Sequence, residues 1–418
     1  MRRFLEIVVL ELRSLVRSKT VAILTLISIA WMLAFPHLLM GDGTDKGIRE
    51  IFIHFSLGGV FALLVLALLS SATGSIARER EAHRLQLTLV RPVRYWAIAL
   101  GKIVAHVGVG AFILAIACGA LLLQSDSSKV CFHVLSPTLP SPREEAKAMY
   151  EHYMNDPDTP AAVKHTKKSI VLRLLETRAL DHYQSIATNE TARWQFADLE
   201  QANDKDLSVR MRFTNQYDLR EVVQGEFRWA GSVGVVSNIS QSVLVVPLIA
   251  SDEGGEKALT FHNQSARAVM FRPRKDLNIL VPADSFATNL LRAWIELVAI
   301  LALIVSLGVF LSASLGRPVA LFVAMSLLVV SEMSPSVIQQ YPDELETNVI
   351  DRVGLVITRF AADIICPISA ASPLEALSAD ECVETKEVLR LAFFDLLLAP
   401  LLLSLLSAVV LPRKALRG

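Results

Sequence analysis

The feature that most constrains this chain is a set of apolar blocks long enough to cross a bilayer. A helix rises about 1.5 Å per residue, so about 20 apolar residues cover the hydrocarbon core. Val21–Met40, Ile51–Ile76, Ile103–Gln124, Leu290–Leu311 and Val388–Leu411 meet or approach that length. A further block, Val319–Val330, is shorter and nearly long enough if it runs from Pro318 to Met333. Hydrophobic residues make up 53% of the 418, and the excess over a soluble chain sits in these blocks. The pattern predicts an α-helical polytopic membrane protein with six spanning helices.

Orientation follows from Lys and Arg, which concentrate in cytoplasmic loops. They cluster at Arg2, Arg3, Arg13, Arg17 and Lys19, and then at Arg78, Arg80, Arg84, Arg91, Arg94 and Lys102. They recur at Arg317 and at Arg413, Lys414 and Arg417. With six spans all four groups fall on one side. Without the short fifth span the C-terminal group would fall outside. Both termini are therefore expected in the cytoplasm and residues 125–288 outside it.

Three regions result. Residues 1–124 hold an N-terminal amphipathic helix and spans one to three, with a cytoplasmic loop at 77–102. The amphipathic helix is read from Leu5, Val8, Val9, Leu12, Leu15 and Val16, which recur at helical spacing opposite Arg and Glu. Residues 289–418 hold spans four to six, with an outer segment at 334–386 that includes an apolar piece too short to cross, hence re-entrant or interfacial. Between them, 125–288 has ordinary globular composition. Helices are expected over Pro142–Met154 and Pro160–Tyr183. Strands are expected over Leu207–Phe213, Val222–Trp229, Ser242–Leu248, Ala258–His262, Val269–Phe271 and Leu277–Val281. That many strands in so short a stretch suggests a small β-sandwich within an extracytoplasmic α+β domain.

The loop after the second block carries a resemblance. Ile76-Ala77-Arg78-Glu79-Arg80-Glu81, then Leu85, Leu89, Pro92-Val93 and Gly101-Lys102, resemble in order and spacing the cytoplasmic loop of ABC-2 type permeases, the membrane subunits of ABC transporters. The amphipathic N-terminal helix resembles that family's connecting helix. The resemblance covers about 1–124 and 289–418 and leaves the 125–288 insert unexplained. It implies a permease that acts as a homo- or heterodimer with a second permease chain. It also implies a separate ABC ATPase on the cytoplasmic face, with Glu79, Arg80 and Glu81 as the charged coupling contacts. ATP and Mg would belong to that partner, and no cofactor or metal to this chain. The implied location is the bacterial inner (plasma) membrane.

Other readings remain open. Glu79, Arg80 and Glu81 also read as plain topology determinants. A mechanotransmission protein, or a scaffold or sensor whose outer domain binds a partner, fits the same pattern. No G-x-x-x-x-G-K-[ST] loop is present, since Gly101-Lys102 is followed by Ile103, and no H-E-x-x-H or G-x-S-x-G motif gives support to an enzyme. The net charge is zero and no basic patch forms, so nucleic acid is not an expected partner; membrane lipids are.

Ionisable residues within spans are costly and mark function or pairing. His54, His106, Glu296 and Asp395 are such residues. Arg292 and Glu296 are four apart, so a structural pair is expected. Asp395 lacks a partner at helical spacing, because Arg390 is five residues away, and it is the strongest functional candidate of the set. Cys366 and Cys382 share an outer segment and form a possible disulfide, with Cys131 able to join either; Cys118 lies within a span. Sequons occur at Asn189, Asn238 and Asn263 and are read as chance.

Overall fold

The computed structural model describes residues 2–38, 45–82, 94–124, 130–138, 142–157, 166, 168–196, 206–213, 222–229, 232–239, 242–248, 258–272, 276–340 and 373–415. In chain order its helices are α1 (Arg2–Arg17), α2 (Lys19–Leu38), α3 (Asp45–Ser75), α4 (Ala77–Glu81), α5 (Tyr95–Gln124), α6 (Pro142–Asn155) and α7 (Lys168–Gln184). They continue with α8 (Phe286–Ser314), α9 (Arg317–Gln340), α10 (Pro373–Ser378), α11 (Thr385–Leu391) and α12 (Ala399–Ala415). A π-helical segment, Ala392–Leu398, joins the last two. The chain divides into two units, one of Met1–Val130 with Asp284–Gly418 and one of Cys131–Ala283.

The first unit is helical. Among the described residues, four helices are long and apolar enough to cross a membrane: Glu50–Glu81, Tyr95–Gln124, Phe286–Ser314 and Thr385–Leu411. The first expected span falls on a bent pair, Phe4–Arg17 and Ala22–Phe35, with 63° between them. The expected fifth span is helical, but its apolar part runs only over Arg317–Val330, shorter than a crossing requires.

Helix α8 is the centre of the unit. It carries almost unbroken small and aliphatic residues, and Ala293, Leu297, Ala299, Leu301, Val305 and Val309 are all buried. Close packing between apolar helices in lipid depends on small residues at the contacts. At Gly110 of α5 an added Cβ would lie 2.3 Å from Leu301 Cδ2 and 2.8 Å from Leu68 Cδ1, so three helices meet there only because that residue has no side chain. Leu374, Leu377 and Val383 join the same core. Asn289 clamps this late segment to α8: its amide donates to the Glu381 carbonyl (2.8 Å), and its oxygen accepts from the Val383 N–H (2.8 Å). Residues 341–372, the larger part of the expected re-entrant segment, lie outside the described residues.

The described residues of the second unit form two helices and three sheets. Its strands are β1 (Val130–Leu135), β2 (Pro137–Thr138), β3 (Ser185–Ile186), β4 (Thr191–Phe196), β5 (Leu207–Arg212) and β6 (Val222–Trp229). After them come β7 (Ser232–Ile239), β8 (Val243–Leu248), β9 (Ala258–Asn263), β10 (Val269–Met270) and β11 (Leu277–Ser285). The sheet orders are β1-β11-β5-β8, β2-β4-β9-β6-β7 and β10-β3, in which β11-β5-β8, β2-β4-β9-β6-β7 and β10-β3 pair antiparallel. One hydrophobic cluster draws Val209, Met211 and Ile279 from the first of these and Trp194, Phe227 and Phe261 from the second. Its aromatic centre is tight, with Phe213, Phe261 and Phe271 at ring separations of 5.0 to 5.4 Å. Edge-to-face geometry at that spacing adds to plain burial. Helices α6 and α7 pack through Ala146, Val171 and Leu175.

Strands β1, β4 and β7 lie outside the set expected from the sequence. β7 contains Gly234 and Asn238, residues depleted in strands. Gly234 pairs directly with Phe227, and a Cβ there would lie 2.3 Å from the Phe227 ring. The aromatic ring covers the bare backbone and restores the pairing that glycine weakens.

Sequon Asn263 is fully buried, and its amide donates to the carbonyls of Ile186, Ala187 and Arg267. It is a structural residue and not an attachment point. Asn189 has a φ of 60°, in a turn before β4.

Candidate functional site: a charged junction at one end of the helical unit

The 77–102 loop singled out by the sequence begins at α4, and α4 is tied down on three sides. The first tie is at its entry. Ser312 Oγ, near the end of α8, accepts from the backbone N–H groups of Ile76 and Ala77, both at 3.0 Å. The turn at Ile76 frees N–H groups that would otherwise be unsatisfied, and a buried hydroxyl answers them. The second tie is Arg80. Its guanidinium donates to the carbonyls of Ala313 (3.3 Å) and Leu315 (2.9 Å), which close the C-terminus of α8. A cation at a helix C-terminus satisfies orphan carbonyls and complements the helix dipole.

The third tie is an ion triad. Lys102 Nζ donates to Glu79 Oε1 at 2.7 Å and to Glu11 Oε2 at 2.9 Å. The Lys102 side chain is 4% exposed, against 17% for Glu11 and 31% for Glu79. One ammonium therefore joins α1, α4 and α5. Gly101 makes the approach possible: a Cβ there would sit 2.8 Å from Ile7 Cγ2 of α1. In the Gly-Lys pair, the glycine admits the N-terminal helix and the lysine binds it.

His106 lies one turn further along α5, fully buried. Its Nδ1 is 2.8 Å from the Lys102 carbonyl and its Nε2 is 3.1 Å from Ser71 Oγ. The carbonyl only accepts, so Nδ1 carries the proton, and in the neutral ring Nε2 accepts from Ser71. The histidine is a cross-brace between α3 and α5.

The expected coupling residues thus divide. Glu79 and Arg80 make contacts within the chain, and Glu81 is exposed. Arg84, Leu85, Leu89, Arg91, Pro92 and Val93, the rest of the loop motif, lie outside the described residues. Sequence reasoning missed Glu11, Lys102 as a buried cation, and Ser312. Glu11 and Lys102 are 91 residues apart and Ile76 and Ser312 are 236 apart, separations that no local pattern reveals.

A cavity of about 420 Å³ opens beside the junction, between α1, α2, α3 and α4. Glu11, Ser14, Ser70, Arg78, Glu79 and Arg317 are among its lining residues.

The other intramembrane candidates lie elsewhere in the helical unit. The expected Arg292–Glu296 pair does not form. Arg292 instead bonds Asp284 at 2.7 Å, outside its own helix, while Glu296 is buried. Arg390, which pairs with Glu387 at 2.9 Å, and Glu387 itself are the charges that act on Glu296. Asp395 lies in the π-helical segment and is buried, and its Oδ2 has no hydrogen-bond partner among the described residues. His54 is exposed, edge-on to Phe55. Cys382 is oxidised in a disulfide, as is Cys131, Cys118 is a free buried thiol, and Cys366, the expected partner of Cys382, lies outside the described residues.

No protein-family model matches this chain, and no curated protein or solved structure matches it. Among the described residues, four helices long and apolar enough to span a bilayer suggest a membrane protein, and the chain also carries a β-sheet unit. Among the described residues, no group of three or more His, Cys, Asp or Glu is arranged to hold a metal ion.

Proposed function

We propose that the chain is the membrane subunit of an ATP-driven transporter of the ABC-2 permease type, working with a separate ATPase. In this reading six helices cross the bacterial inner membrane, with α1–α2 supplying the first span and α9 the fifth. Both termini are cytoplasmic, and the β-sheet unit, a small sandwich, is extracytoplasmic. The protein acts as a dimer with itself or a related permease chain.

The observation that carries the reading is the Lys102 triad together with the Arg80 and Ser312 ties. An ATPase that closes on ATP can move spans only through a stiff surface element. Helix α4 is such an element, because it is bonded at once to α1, α5 and α8, and displacing it displaces all three. Glu79 and Arg80 serve inside the junction as its fasteners. Exposed Glu81 is left as the charged contact toward a partner.

A photocrosslinking residue placed at Glu81 in the full chain tests this. Membranes irradiated after expression should yield an adduct with a protein containing a G-x-x-x-x-G-K-[ST] loop. The same probe at Val235, which is exposed on β7, should not. No adduct from position 81, or the same adduct from both positions, contradicts the proposal.

A further inference from the structure

The cavity beside the junction brings in Arg78, Arg317, Ser14 and Ser70, which the coupling role does not use. It is about 420 Å³, within the range of about 300–1,000 Å³ common for small-molecule sites. Two arginines line it. Arg78 spends Nε on the Gly74 carbonyl (3.0 Å) and Nη2 on the Ser71 carbonyl (3.5 Å), which leaves guanidinium donors over. Arg317 is exposed and has no ion pair among the described residues. The hydroxyls of Ser14 and Ser70 also line the space and have no hydrogen-bond partner among the described residues.

Glu11 and Glu79 border the same cavity, but both are held by Lys102 Nζ. The two arginines and two carboxylates of the lining, together with Lys102 behind the carboxylates, sum to one positive charge, with guanidinium and hydroxyl groups bordering the same space. Leu15 and Leu24 form another part of the wall. The cavity lies in the bend between α1, an amphipathic helix of the kind that rests at a membrane interface, and α2. Basic pockets between spans at that depth suit phosphorylated head groups.

We infer that this cavity is a binding site for a phosphate ester, the head group of an anionic phospholipid or a soluble glycerophosphate. Arg78 and Arg317 supply the charge, Ser14 and Ser70 supply donors, and Leu15 and Leu24 lie where an acyl chain would begin. The site needs the chain to be in a membrane and does not need an ATPase, so its failure and that of the transporter reading are separable.

Native mass spectrometry of the detergent-purified full chain tests it with phosphatidylglycerol, phosphatidylcholine and glycerol 3-phosphate as separate probes. One equivalent of phosphatidylglycerol should be retained about tenfold more tightly than phosphatidylcholine. Arg317→Gln should reduce that preference about fivefold to tenfold, the effect of one basic residue near a charged head group. Arg317→Lys should keep most of it, and Arg13→Gln, an exposed basic residue of α1 outside the cavity, should keep all of it. Binding of glycerol 3-phosphate at the same site, lost in Arg317→Gln, would assign a soluble source. Retention of the lipid alone would assign the membrane. Equal retention of both lipids with no glycerol 3-phosphate bound, or an Arg317→Gln variant that binds like the parent, would overturn the inference.

Discussion

Lys102→Met isolates the central element of the junction. The substitution keeps the stem of the side chain and removes its charge. Two carboxylates would then face each other without a cation, Glu11 at 17% exposure and Glu79 at 31%. Removing one partner from a buried ion pair costs about 3–5 kcal/mol, because the remaining charge is buried and uncompensated. Glu79 retains contact with water and softens this, so most of the cost falls through Glu11. The expected loss is about 3 kcal/mol, the low end of that range. The triple variant Lys102→Met, Glu11→Gln, Glu79→Gln removes the stranded charges and should recover to within about 1 kcal/mol of the parent, since neutral replacement of a whole buried ion cluster is often nearly neutral. Unfolding of the full chain in a mild detergent, titrated with a denaturing detergent and followed by tryptophan fluorescence, reads both. A single variant within about 0.5 kcal/mol of the parent, the range of an ordinary surface substitution, would refute the triad as a fastener.

Gly234→Ala places a methyl group where Phe227 already sits, and should destabilise the β-sheet unit by about 1–3 kcal/mol, the cost of overpacking, read by thermal unfolding of the full chain. Arg292→Gln should cost less than about 1 kcal/mol, because its partner Asp284 is 40% exposed and exposed pairs contribute little; a Glu296→Gln change should not be coupled to it in a double-mutant cycle, whereas coupling would restore the intrahelical pair.

Much of this architecture is legible in the sequence, because its cause is local. Apolar length identifies α3, α5, α8 and the α11–α12 run, and residues at helical spacing identify α1. Alternation and β-branched content locate β5, β6, β8, β9 and β11. Most of what escapes is set by partners outside a residue's own element. Lys102 looks like one more positive residue of a cytoplasmic loop until Glu11 is brought to it. Arg292 and Glu296 have the spacing of a pair, yet Asp284 at the close of β11 takes the arginine. Nothing in the residue types of Ala392–Leu398 announces the π-helical segment that carries Asp395. Gly234 reads as a strand breaker until Phe227 is laid across it. For Lys102 chain distance hides the partner; for Arg292 and Gly234 the partner is near in sequence but lies outside the residue's own helix or strand.

The claim that an ATPase works through this chain is tested most directly by gentle extraction. The full chain, affinity-tagged at its C-terminus, is solubilised in digitonin from its own membranes, and the complex is analysed by mass spectrometry and assayed for ATP hydrolysis. The account predicts an equimolar subunit with a G-x-x-x-x-G-K-[ST] loop, ATP hydrolysis in the complex, and loss of that subunit with Glu81→Lys. Recovery of the chain with no such subunit from the unmodified protein would contradict it.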